Sequence, residues 1–456
     1  MTASVPGAGS RPQSAGELDS SRAGILAFVA GATGIAVLLL CYYKLTWDNL
    51  TRFNLSIDVW AERFPDFTRY YYPMGEAIFR VGMPIDGFVY SPFVAILLAA
   101  FSPLGLSTAT IVWVALQILA IILYIILIRR LVPARPPLQL LFVALVLSSF
   151  PLLHNFKFAQ VAVFMTVALL GMLIFYERGW LAAAAVLFAF AVSFKWYPLI
   201  FLALFAARRD VRFLLLASGA GALLLIVVPV VCLGFEETYR FYDALRLAYG
   251  GFDWVLSSYN SQYFPNVIVR LALALGGPGL SRIPFLQVYA LPLLRAIAWA
   301  VVIANVALVY RVQRVGIAYA NLWSAVVLFL TIPFVLGTSW PVDLVSMPFT
   351  QAFLVWAILN WDAAFLPGKP EPERRPRLPT VQLAASGLMV LSSIVVSNIV
   401  LFNYVGNYTT YGTFGLVFWA DLLLLLATYV LLSPRNLRRN RSCVDAPPKP
   451  REATQP

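Results

Sequence analysis

The sequence predicts an all-α polytopic membrane protein, and three observations carry that prediction. Of the 456 residues, 61% are hydrophobic and 12% are charged, against roughly 25% charged in an average soluble domain. A single soluble core cannot hide that much apolar surface, whereas a bilayer accepts it. Apolar runs near the roughly 20 residues needed to cross the hydrocarbon recur about a dozen times. The basic residues gather in short clusters between those runs. Arg208, Arg209 and Arg212 flank one run, Arg311 and Arg314 another, and Arg435, Arg438, Arg439 and Arg441 follow the last. The positive-inside rule produces this distribution, so the net charge of +12 reads as topology and not as nucleic-acid binding.

Residues 1–22, rich in Ser, Gly, Ala and Pro, read as a disordered cytoplasmic tail. They lack the compact basic start, followed directly by an apolar core, of a signal peptide. The body of the chain, 23–432, holds predicted spans near 23–43, 88–104, 109–128, 137–153, 160–176, 180–207, 213–234, 286–310, 317–336, 343–366, 381–402 and 413–432. Twelve crossings return the C-terminus to the side of the N-terminus. The linker GKPEPERRPR and the basic tail, 433–456, are then both cytoplasmic. Arg129, Arg130 and Arg135 break the rule, because this count puts them outside. Either a span is miscounted or those arginines have a role there.

Two long extracytoplasmic loops are expected, 44–87 and 235–285. In the first, Phe67, Tyr70, Tyr71, Met74, Ile78 and Val81 recur at helical spacing and form one apolar face. Three scattered cysteines, Cys41, Cys232 and Cys443, make neither a disulfide framework nor a thiolate site. The single histidine, His154, leaves no multi-histidine centre, and neither metal nor cofactor is expected.

Polar residues where the membrane disfavours them carry the chemistry. Lys195, in AVSFKWYPL, lies inside a run of almost 30 apolar residues with Pro198 just after it. A charge at that depth faces a cavity or a partner, and a cation facing a cavity suits a phosphate. The plainer alternative is a lysine marking a loop between two shorter spans; span parity favours one long broken span. Asp66 has two competing roles, an N-cap for the amphipathic run or a general base at the interface. Asp58, Glu62 and Glu76 are nearby rivals.

From Asp66 to Pro103 the chain reads D-F-x-x-Y, a helix, a glycine, F-V-Y-S-P-F and a greasy segment ending S-P-L. This resembles the opening of glycosyltransferase family 87, the polyprenyl-phosphomannose-dependent mannosyltransferases of the GT-C class. Further matches follow in order. Ala159-Gln160 stands where the family has Gly-Gln, and Lys195 and Pro198 match its K-x-Y-P. Gln262 with Arg270 fits a glutamine followed eight residues later by arginine, and Ser339-Trp340 matches a late Ser-Trp. The similarity covers about 60–360. After Ser-Trp many members carry histidine, where this chain has Pro341, Val342 and Asp343.

The resemblance implies a GT-C fold of about twelve transmembrane helices in the cell (plasma) membrane, with an extracytoplasmic active site. It implies transfer of a sugar, mannose foremost, from a polyprenyl monophosphate to a glycolipid or glycan acceptor, with inversion. Arabinose or glucose from the corresponding lipid phosphate is the near alternative, and a lipid-linked sugar flippase the alternative from another class. Asp66 is then the base. Lys195 and Arg270 are candidates for the donor phosphate, and Gln160, Gln262, Tyr70, Tyr72 and Tyr90 for phosphate or sugar. His154 and Lys157 rank lower for the phosphate, because the span count puts them inside. Asp343, Trp340 and Glu76 are placed on the acceptor side.

Overall fold

The computed structural model describes residues 31, 32, 35, 64–250, 258–276, 290–365, 380–405 and 408–437. Most of the first predicted span, Asp58, Glu62, Cys41, Cys443, the basic linker and most of the C-terminal tail lie outside them. Among the described residues, regular structure is helical, and the one strand-like contact is an isolated bridge between Ser149 and Asn398. Five helical stretches are long and apolar enough to cross a membrane: Leu106–Leu131, Val211–Leu233, Leu291–Val315, Pro341–Leu359 and Leu416–Leu437. The expected all-helical membrane character follows from them.

A π-helical turn, Phe67–Tyr71, leads into α1, Tyr72–Val81. Phe67, Tyr71, Met74 and Ile78 are buried as the periodicity predicts, while Val81 is exposed and Tyr72 turns inward. Helix α2, Pro92–Ala99, lies directly on α1. A Cβ added to Gly75 would meet the Leu98 carbonyl at 2.5 Å, so only glycine permits this approach. Tyr72 Oη also donates to the Ser102 carbonyl.

The predicted span 88–104 holds one of the shorter apolar helices, Pro92–Leu104, which takes in the 3-10 turn Ser102–Leu104. Pro92–Leu104 reaches about 20 Å, short of the roughly 30 Å of hydrocarbon. The apolar run instead forms a helical pair with α1. Only α3, Leu106–Leu131, is long enough to cross between Asp66 and the arginines 129, 130 and 135.

The predicted span 180–207 is corrected. After α4 (Pro136–Leu147), α5 (Phe150–Phe158) and α6 (Ala162–Glu177) comes α7, Leu181–Phe194. The helix stops at Lys195, whose backbone is extended (φ −144°, ψ 152°). A 3-10 turn, Tyr197–Phe201, then starts α8, Leu202–Arg208. The two helices fold back on each other. Tyr176 Oη, at the end of α6 where α7 begins, donates to Asp210 Oδ2 (2.6 Å) just beyond α8. Glu177 and Arg208 both reach Asn321. Both ends of 181–208 thus lie together, and Lys195 occupies the far tip. Pro198 suits the first turn of the 3-10 segment, where its missing N–H costs nothing, so it reverses the chain where a kinked single span was expected.

A second hairpin faces this tip. Helix α9 (Val211–Leu233, π-helical at 223–227), α10 (Phe235–Gly250) and α11 (Phe264–Gly276) intervene, then α12, Leu291–Val315. Helix α13, Ala320–Phe329, and α14, Met347–Leu359, run antiparallel. The Trp323 and Phe353 rings lie 4.9 Å apart, and Tyr319 meets Trp356 at 5.0 Å. Residues 337–346 form the tip, with a 3-10 turn at Pro341–Leu344. Helices α15 (Thr380–Val396) and α16 (Leu416–Leu431) close the bundle.

Candidate active site

Asp66 precedes the π-helical turn and makes no side-chain capping bond. Its Oδ2 instead accepts from Gln160 Nε2. The carboxylate is 8% exposed. Burial raises its pKa to about 6, while the Gln160 bond and the charges of Lys195 and Arg69 pull it down. The capping alternative for Asp66 thus has no counterpart here.

Gln160 is held from every side. Its Oε1 accepts from Tyr71 Oη and Tyr90 Oη, each at 3.0 Å, and those two hydroxyls lie 2.8 Å apart. Its backbone carbonyl accepts from Gln117 Nε2 (2.6 Å), whose Oε1 accepts from Asn155 Nδ2 (2.9 Å). The preceding Ala159 is left-handed (φ 57°), the conformation that favours glycine. Its carbonyl accepts from Trp113 Nε1 (2.9 Å). Three helical segments and the loop before α2 thereby fix one glutamine, and the glutamine fixes Asp66.

Lys195 Nζ lies 2.6 Å from Asp343 Oδ1, with the carboxylate side chain fully buried. Asp343 Oδ2 also accepts from the Trp340 N–H (3.1 Å), which caps the 3-10 turn. The Ser91 hydroxyl donates to the Ser193 carbonyl (2.7 Å) and pins the F-V-Y-S-P segment to the end of α7. Asp66, Gln160, Tyr90, Lys195 and Asp343 are thus gathered at one end of the bundle.

Other predicted site residues take different places. The Arg270 guanidinium donates to four backbone carbonyls, those of Ser258, Ser261, Gly412 and Thr413. Gln262 accepts from the Phe418 N–H (3.1 Å), and its own N–H donates to the Ser339 carbonyl. Both side chains join α11 to the start of α16. Tyr70 packs its ring over Gly87, where a Cβ would sit 2.3 Å from the ring. Glu76 is exposed on α1. Tyr71, Gln117, Asn155 and Trp113 were missed. Gln117 carried a signal, as a lone amide in an apolar run; Asn155 stands among the polar residues His154 and Lys157, and Tyr71 was hidden within the apolar face of its own helix.

A family model, described as Glycosyltransferase family 87, matches residues 88–336. That is more than half of the chain. The chain belongs to glycosyltransferase family 87. No curated protein and no solved structure gives a match. The family 87 match begins at Phe88 and takes in Tyr90, Gln160 and Lys195, but Asp66 and Asp343 lie outside it. Within the matched region the left-handed Ala159 supplies a physical reason for a glycine before the glutamine.

Proposed function

We propose that this family 87 enzyme moves a sugar, mannose foremost, from a polyprenyl monophosphate to a glycolipid or glycan hydroxyl at the outer face of the membrane. Asp66 is the general base. Its carboxylate removes the acceptor hydroxyl proton as that oxygen bonds to the anomeric carbon. The bond from that carbon to the phosphate oxygen breaks on the opposite face, so configuration inverts. The lipid phosphate leaves as an anion and needs no protonation, hence one carboxylate suffices. A glycosidase, by contrast, generally needs two. Lys195 balances the charge that develops on the departing phosphate, with Asp343 holding its ammonium in place.

The observation that carries this reading is the buried, non-capping carboxylate of Asp66, oriented by Gln160. A carboxylate raised to about 6 is a stronger base than an exposed one and is still mostly ionised at neutral pH. Arg270, engaged by backbone carbonyls, is left out of the donor ligands in this proposal. The test is Asp66→Asn in membranes supplied with a lipid-phosphate sugar. Transfer should fall by at least about a hundredfold while the protein stays folded. Near-normal turnover would remove Asp66 from the chemistry.

A further inference from the structure

Lys157 lies at the C-terminal end of α5, three residues before Gln160. It belongs to the catalytic end of the bundle. Its neighbour Asn155 is bonded into the Gln117–Gln160 network. Its neighbour Phe156 meets Phe64, two residues before Asp66, at 6.0 Å between rings. Helix α5 also packs along the 3-10 turn that carries Asp343.

The cations at this end differ in what they face. Arg270 is committed to carbonyls, Lys195 to Asp343, and Arg69 is exposed. Lys157 is half-buried, with its ammonium 5.6 Å from the Phe158 ring centroid. No carboxylate lies within ion-pair distance of it among the described residues. Burying an ammonium without a counter-charge costs free energy, and burial lowers its pKa accordingly. An anion arriving beside it removes that penalty.

We propose that Lys157 joins Lys195 in binding the phosphate of the lipid donor, an assignment that rests on the lipid-phosphate reading above. The geometry of inversion favours a cation at some distance from the base. With base, acceptor oxygen and anomeric carbon spaced about 3 Å apart, the phosphorus falls on the order of 8 Å from Asp66, on the far side. The same ammonium chemistry also fits a bilayer phosphate reached by a snorkelling lysine, and the experiment separates the two sources.

The full-length protein is placed in nanodiscs of zwitterionic lipid, and binding of a short-chain polyprenyl monophosphate is measured. Lys157→Met should weaken binding roughly ten- to a hundredfold, the effect of losing one charge-assisted hydrogen bond. Lys157→Arg should stay within about threefold. The uncharged polyprenol should not distinguish wild type from Lys157→Met. A wild type that binds no polyprenyl monophosphate would sink the lipid-phosphate reading itself. A wild type that binds, with Lys157→Met equal to it, would overturn only the role of Lys157. Displacement of the probe by an equal concentration of anionic phospholipid would overturn it as well, by showing a bilayer contact. Protection of wild-type Lys157 from amine acetylation by bound polyprenyl monophosphate, read by mass spectrometry, needs no variant to fold. Protection by the monophosphate and none by the polyprenol is expected; no protection by either would overturn the proposal.

Discussion

Lys195 Nζ lies 2.6 Å from Asp343 Oδ1, and this contact ties the tips of two helical hairpins together. Removing one partner strands a charge in a poorly solvated place, which costs on the order of 3 kcal/mol for a buried pair. Lys195→Met and Asp343→Asn should each lower stability, and the double variant should lose at least about 1 kcal/mol less than their sum. Strict additivity in thermal or denaturant unfolding would mean that the pair contributes no coupling. The Michaelis constants separate the roles: a donor effect of both variants assigns Asp343 to holding Lys195, whereas an acceptor effect of Asp343→Asn alone places it beside the acceptor.

The Asp66 carboxyl, raised to about 6 by burial, predicts the pH dependence of turnover. The base must be ionised, so kcat/KM should be flat above pH 7 and fall tenfold per unit well below pH 6. Stability runs the other way. A carboxyl with a raised folded-state pKa contributes stability that is full below about pH 4 and is lost as pH rises through about 6. Asp66→Asn should therefore stabilise the protein at pH 7.5 by up to about 2 kcal/mol and change little at pH 4. An activity profile flat to pH 4.5 would contradict the assignment.

Arg270 is 6% exposed and donates to carbonyls on both sides of the 258–270 and 412–413 segments. Lysine cannot reproduce that fork, and each buried carbonyl left unpaired costs about 1–3 kcal/mol. Arg270→Lys should thus lower the melting temperature clearly while leaving the donor KM of the surviving folded fraction within about twofold. A wild-type melting temperature with a raised donor KM would restore Arg270 to the phosphate.

The shortened α2 makes a topological prediction. Asp86, in the α1–α2 connection, and Pro133, beyond α3, are both exposed, and the one helix between them long and apolar enough to cross a membrane is α3. Impermeant thiol reagent applied to intact cells should label Asp86→Cys and spare Pro133→Cys. Labelling at both positions would restore a second crossing between them and return Arg129, Arg130 and Arg135 to the outer face.

The apolar face of α1 was legible because burial imposes helical periodicity on the residues themselves. Phe67, Met74 and Ile78 point inward as their spacing requires. The shortness of the helix within 88–104 was not legible, for an equally definite reason. Hydropathy records how apolar a run is, and a helix buried against protein is as apolar as one in lipid. Tertiary contacts, the Gly75–Leu98 approach and the Tyr72–Ser102 bond, show that this run packs on α1. The same limit joined α7 and α8 into one span, since the reversal at Lys195 depends on where Tyr176 and Asp210 meet.

The sequence by itself determined the membrane class, the helical content, the family and the unusual position of Lys195, because each is written in local composition or in ordered motifs. The tertiary structure alone decided what those side chains touch. Asp66 and Gln160 are separated by 94 positions, and Lys195 and Asp343 by 148. Each pair meets only through the packing of several helices, and no local rule of spacing encodes such a meeting. Arg270 shows the same limit from the other side: its motif is readable, but its partners are backbone carbonyls, which carry no residue identity and leave no trace in a sequence.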